Sequence, residues 1–112
     1  VYKLVEDEYG NITRTLLAGS TYGILVNGNG SEAKFNSIMD IQSDRQNNIY
    51  VVEPGVSVIR KITPAGDVTH YAGTTNTQYE INPSSSTLNS KLGEPYSLAR
   101  DNYNNLYITN FK

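Results

Sequence analysis

Apolar positions along this chain fall in short runs, alternating or continuous, and nowhere at helical spacing. No window carries a 3.6-residue apolar period, so no long helix is predicted. Strands are predicted at residues 39–43, 49–53, 58–63 and 67–72, each bounded by Gly, Pro, Asn or Asp. Two stretches, Ile49-Tyr50-Val51-Val52 and Leu106-Tyr107-Ile108-Thr109, are largely apolar on both faces. Such a strand is covered from both sides, which in a small β protein means packing between neighbouring sheets.

The turns carry their own chemistry. In 44–48 and 101–105 an Asp (Asp44, Asp101) is placed to accept backbone N–H groups across the turn. Asn47 and Asn104 can take positive φ, which Asn tolerates better than most residues, and Asn48 and Asn105 close the turn. Thr63-Pro64-Ala65-Gly66 reads as a second kind of hairpin turn, with Pro fixing φ and Gly left-handed.

These features recur. When Lys34 is laid on Lys91, residues 34–53 match 91–110 without a gap. Lys34/Lys91, Asp44/Asp101, Asn47/Asn104, Asn48/Asn105 and Tyr50/Tyr107 are identical, and Phe35/Leu92, Ile41/Leu98, Ile49/Leu106 and Val51/Ile108 are conservative. The rest also pairs: Lys3-Leu4, Gly10-Asn11-Ile12-Thr13 and Leu17-Ala18-Gly19 resemble Lys61-Ile62, Gly66-Asp67-Val68-Thr69 and Tyr71-Ala72-Gly73. Two copies of one β unit therefore fill the chain, with irregular loops at 20–32 and 74–90. A unit that stacks on its neighbours cannot bury its apolar faces alone.

Composition narrows the chemistry. The chain has 112 residues, net charge −2 and a pI near 5.2. Its nine Lys and Arg are scattered, which argues against nucleic acid and against acidic lipid. With no Cys there is no disulfide framework and no thiolate metal site. No apolar run approaches the ~20 residues that span a bilayer as a helix. The start at Val1 without Met reads as a mature or excised segment. Thirteen Asn, ten Ser, ten Thr and nine Tyr supply uncharged polar surface instead.

The ordered motifs resemble the NHL-repeat family of β-propellers. They are Ala33-Lys34-Phe35 before a short strand, the 44–48 turn, Ile49-Tyr50-Val51, then Ile59-Arg60-Lys61-Ile62-Thr63-Pro64, Gly66 and Ala72-Gly73. The second copy supplies Lys91-Leu92, Pro95, the 101–105 turn and Leu106-Tyr107-Ile108. The family's turn Gly is Asn47 or Asn104 here, the Asp after the Tyr-Val strand is Glu53 or Asn110, and the Arg kept at Arg60 is Tyr2 in the partial copy. The resemblance implies an all-β fold of four-stranded antiparallel blades. Residues 33–73 would form one complete blade, 1–19 the last two strands of another, and 91–112 the first two strands of a third, with 20–32 and 74–90 between blades. Propellers close with about four to eight blades. Further chain or further copies would complete this one, so the expected partners include a homo-oligomer or the rest of a larger propeller.

The expected activity is non-catalytic: a binding or scaffold module that presents its loops to a protein or a glycan, at the cell surface or outside the cell. Tyr22, Asn27, Asn29, Asn76, Gln78, Tyr79 and Tyr96 are the candidate ligand-binding residues, because Tyr and amides suit both partners. Asp44, Asn47, Asn48, Asp101, Asn104 and Asn105 are read as structural, and Ile49, Tyr50, Leu106, Tyr107 and Ile108 as packing between blades or subunits. No cofactor or metal is expected. The lyase and lactonase relatives imply carboxylate, His and Asn ligands around a channel, and this chain offers only Asp40 and Asn36 against Ser97 and Gly93. A self-assembling building block is the alternative role, with matched half-blades joining copies.

Overall fold

The computed structural model describes residues 1–21, 25–73 and 92–111. It is all-β and antiparallel, with no sheet closed into a barrel. The strands are β1 (Tyr2–Glu6), β2 (Ile12–Leu16), β3 (Gly28–Asn29), β4 (Asp40–Ser43), β5 (Ile49–Glu53), β6 (Val58–Ile62), β7 (Asp67–Gly73), β8 (Pro95–Arg100) and β9 (Leu106–Asn110). β1 pairs with β2, β8 pairs with β9, and the central sheet has the order β3-β7-β6-β5-β4.

One turn makes four of the hairpins. Its first residue donates N–H to the C=O of the fifth, and the fourth donates back to the first: Asp7 with Asn11 and Gly10, Asp44 with Asn48 and Asn47, Thr63 with Asp67 and Gly66, Asp101 with Asn105 and Asn104. The fourth residue has φ of +83°, +65°, +90° and +64° respectively, supplied by Gly10, Asn47, Gly66 and Asn104. This three-residue hairpin loop, ending in a left-handed residue, twists in the sense the strands require. Sequence patterns separate the 44–48 and 63–67 turns; the backbone makes them the same turn.

The central sheet is covered on both faces. On one face Val51, Ile62 and Val68 pack with Ala18, Ala33 and Phe35, joined by Val1, Leu17 and Ile49. On the other, Tyr50, Val52, Ile59 and Ala72 pack with Leu98, joined by Tyr71, Leu92, Leu106 and Ile108. The structure is thus three β layers, and β5 lies inside the middle one. This explains why Ile49-Tyr50-Val51-Val52 is apolar on both sides. Buried aliphatic side chains of this kind contribute roughly 1.5–3 kcal/mol each.

The second and third layers also meet at their turns. Asp40 Oδ2 accepts the Leu98 N–H at 2.8 Å. Arg45 N–H donates to Asn104 Oδ1 at 3.1 Å, Arg45 Nη1 to the Asn102 carbonyl at 2.7 Å, and Asn104 Nδ2 to Gln46 Oε1 at 2.7 Å. Arg100 Nε donates to the Ser43 carbonyl.

Two local departures from expectation have simple causes. The 20–32 stretch, expected to be irregular, holds β3 and a single 3₁₀ turn at Gly30–Glu32. Asn29 brings β3 to β7 by donating from Nδ2 to Asp67 Oδ1 at 2.8 Å and to the Ala65 carbonyl at 3.0 Å. Bulges opposite Ile59/Arg60 and in β8 insert Tyr71 and Tyr96 as extra residues, and bulges re-aim side chains. Tyr71 thereby meets the Tyr50 ring edge-on at 4.8 Å, and Tyr96 lies tilted against Phe111 at 5.5 Å.

Candidate functional site

The loop expected to carry function is anchored from below by a buried charge. Arg60 in β6 and Glu53 in β5 are 1% and 0% exposed and form an ion pair of 3.1 Å. The register puts Arg60 opposite Val51, so Glu53 lies diagonally across on the same face. Arg60 Nη1 also donates to the Lys34 carbonyl at 3.1 Å, and Nη2 to the Val26 carbonyl at 3.0 Å and Asn27 Oδ1 at 2.9 Å. The other Glu53 oxygen accepts the Asn36 N–H. The guanidinium lies 5.0 Å from the Phe35 ring centroid, a cation–π distance. One planar fork thus holds both ends of the 26–34 segment, a task that suits Arg and not Lys.

Above this clamp Leu25, Asn27, Val58, Arg60 and His70 surround a small hollow of about 170 Å³. His70 Nε2 is 3.1 Å from the Ala72 carbonyl. Of the candidate ligand-binding residues, Asn27 and Asn29 spend their amides on Arg60, Ala65 and Asp67. Tyr96 is partly exposed beside Phe111 on the third layer, apart from that hollow's lining residues. Tyr22, Asn76, Gln78 and Tyr79 lie outside the described residues. Among the described residues, no three His, Asp or Glu side chains converge to hold a metal ion.

The Asp turns are electrostatically self-contained. Asp44 Oδ1 accepts the N–H groups of Gln46 and Asn48, both at 2.9 Å, and Oδ2 accepts Asn48 Nδ2 and the Tyr50 hydroxyl, both at 2.9 Å. Asp101 repeats this with Tyr103, Asn105 and Tyr107. Asp7 repeats it with Tyr9 and Asn11. Hydrogen bonding to the charged form lowers a carboxyl pKa. The Asn105 amide leads in holding Asp101 down to about 2, and the Asn11 N–H leads in lowering Asp7. At Asp44 desolvation pushes upward, yet the bonds from Asn48 and Tyr50 leave the carboxyl below its ordinary value. The tyrosines shift the opposite way: burial and then Asp44 raise Tyr50, while the Asp101 hydrogen bond raises Tyr107.

A pH dependence follows. A carboxyl depressed in the folded state stabilises fully above its unfolded value, about 3.9, and loses that contribution as pH falls through the folded one. Urea midpoints are expected to hold from neutrality to about pH 5, then fall steeply between about pH 4 and 2 as the Asp turns protonate. Asp101→Asn should flatten part of that fall, and a profile unchanged by it contradicts the assignment.

The clamp escaped the sequence reading; the acidic run Glu6-Asp7-Glu8 reads there as a solvated hairpin tip, which it is, but its kinship with the Asp turns went unread. Their signals are visible in retrospect. Glu53 ends a strand that is otherwise apolar on both faces, Arg60 stands in one that is apolar apart from Lys61, and such charges are paired when buried. Asp7-Glu8-Tyr9-Gly10-Asn11 has the same Asp and Asn spacing as 44–48.

Comparison with known proteins places the fold. No protein-family model and no curated protein matches the chain. Among solved structures, the chain is similar to the crystal structure of an auxiliary nutrient binding protein from Bacteroides ovatus, with a TM-score of 0.67 and 23% identity. The match covers 96% of this chain and 29% of that protein. The layered arrangement of this chain therefore occurs within a protein more than three times as long.

Proposed function

We propose that the chain is two wedges of an NHL-type β-propeller and serves as a non-catalytic binding module at the cell surface or outside the cell. The observation that carries this is the repeated layer: equivalent strands, turns and apolar faces stack in the same order along the chain. The resemblance in fold to part of a longer nutrient binding protein supports it. Further chain or further copies supply the remaining wedges.

The ligand is a glycan or a protein segment, met by the loops 20–32 and 74–90. The Arg60 clamp gives the first of these loops a fixed base, and a fixed base lowers the ordering cost of binding. Tyr22, Gln78 and Tyr79 supply ring faces and amide groups. The test is a glycan array and a protein pull-down, followed by titration of any hit against Tyr22→Ala and Tyr79→Ala. Each substitution is expected to weaken binding about tenfold or more, as truncating an aromatic anchor does. Undiminished binding by both variants, with their circular dichroism unchanged, contradicts the loop assignment. Absence of any hit contradicts the binding role.

A further inference from the structure

Arg60 and His70 stand opposite each other in the β6–β7 register, so their side chains leave the sheet on one face. Val58, two residues before Arg60, shares that face. Arg60 Nη2 draws the 25–27 segment to it by holding both the Val26 carbonyl and Asn27 Oδ1. The hollow of about 170 Å³ lies here, with Leu25 and Val58 as its apolar lining.

Two polar atoms of this lining are left over once the fold has taken its share. A guanidinium only donates, so Asn27 must turn its oxygen to Arg60, and the fold claims this amide through that oxygen only. Asn27 Nδ2, with two hydrogens to give, has no partner among the described residues. A backbone carbonyl only accepts, so His70 Nε2 carries the proton that points to the Ala72 oxygen at 3.1 Å. Nδ1 of the neutral ring is then an acceptor, and it too has no partner among the described residues. Bonds already made orient both side chains, so a ligand meets them with little further ordering cost.

The charge balance disfavours an ion. Arg60 is paired with Glu53, and its two Nη nitrogens make four bonds, to Lys34, Glu53, Val26 and Asn27, as many as they have hydrogens. Among the described residues no carboxylate lines the hollow. A matching ligand is uncharged, accepts from Asn27, donates to His70 and shows apolar surface to Leu25 and Val58. Sugar hydroxyls do both through one oxygen or two adjacent ones, while ring C–H groups meet the aliphatic side chains. A Ser or Thr of a protein segment brings one hydroxyl and a polar backbone, and meets this lining less fully. The volume is below the roughly 300–1,000 Å³ of drug-sized sites, which suits one ring and not an oligosaccharide. We infer that this hollow is a subsite for a single uncharged pyranose unit, the end or a branch of a glycan. The inference rests on the binding-module reading above and chooses the glycan from its two ligand classes.

The probes are the methyl pyranosides of glucose, galactose, mannose and N-acetylglucosamine, with methyl glucuronide and inorganic phosphate as charged controls. Each is titrated into the full chain while NMR follows the Asn27 Nδ2 protons and the His70 ring. At least one neutral pyranoside is expected to shift both sets of signals saturably, with millimolar affinity. Asn27→Asp keeps an oxygen for Arg60 and removes the donor; His70→Gln keeps a donor for the Ala72 carbonyl and removes the acceptor. Each should weaken that binding about tenfold with circular dichroism unchanged. His70→Asn, which sets an amide oxygen near the place of Nδ1, should bind within about threefold of the native chain. Binding that neither Asn27→Asp nor His70→Gln weakens overturns the subsite, as does His70→Asn binding no better than His70→Gln. Tighter binding of glucuronide or phosphate than of every neutral pyranoside overturns it by showing a charge-selective site. If no pyranoside moves the Asn27 and His70 signals of the native chain, the subsite is rejected. A glycan or protein hit weakened by Tyr22→Ala would in that case keep the binding module, whereas no hit of either kind rejects the module as well.

Discussion

Replacing Arg60 by Ala is expected to destabilise the chain by about 3–5 kcal/mol, the usual result of leaving a buried partner charge uncompensated. Glu53 is fully buried and would lose the guanidinium, while the Asn36 N–H still donates to its other oxygen. The same substitution removes the donors that hold the carbonyls of Val26 and Lys34. This second loss gives the prediction its edge. A buried ion pair alone can often be exchanged for apolar residues of similar volume without penalty. Here Arg60→Met with Glu53→Leu should remain destabilising by about 2 kcal/mol or more, because loop carbonyls and the Asn36 N–H lose their partners. Urea unfolding of the single and double variants decides between the two roles. Full recovery in the double variant would reduce the clamp to a simple ion pair.

The second large effect is a contrast between equivalent residues. Asp44→Ala removes four hydrogen bonds and strands the hydroxyl of a buried Tyr50, for an expected loss of about 2–4 kcal/mol. Asp101→Ala removes the same four bonds, but Tyr107 and its turn face water, which takes over as partner. Its loss should be clearly smaller. Equal losses at the two positions would mean that Tyr50 and Tyr107 have similar surroundings in solution. That outcome would contradict the two-sided covering of β5, or would signal that β9 is covered by a neighbour.

Much of this was legible in the residues. Strand limits at 49–53 were plain because Gly, Pro and Asn punctuate them, and the Asp turns were plain because Asp and Asn recur at fixed spacing. The sandwiching of β5 followed from its apolar character on both faces. Three things were hidden for physical reasons. β3 is a two-residue strand, too short for any period, and depends on an Asn29 side chain reaching the far end of β7. The Glu53–Arg60 pair joins residues seven apart on neighbouring strands, which a linear pattern does not juxtapose. The kinship of the 63–67 turn with the Asp turns is a matter of backbone hydrogen bonds, with Thr63 Oγ1 accepting the Asp67 N–H where an Asp carboxylate serves elsewhere. At the candidate site, composition drew attention to the amides of Asn27 and Asn29. Their neighbours claim those amides for the fold.

A crystal structure of the chain by itself is the most direct test of whether its layers are wedges that need neighbours. The expected result is three stacked sheets in every molecule, with Ala18 and Phe35 on Val51 and Leu98 on Val52, and with the exposed Leu4, Ile41 and Tyr107 covered by neighbouring molecules. A lone molecule in which Ile41, Leu4 and Tyr107 are covered by the chain's own residues, or by nothing, would contradict it.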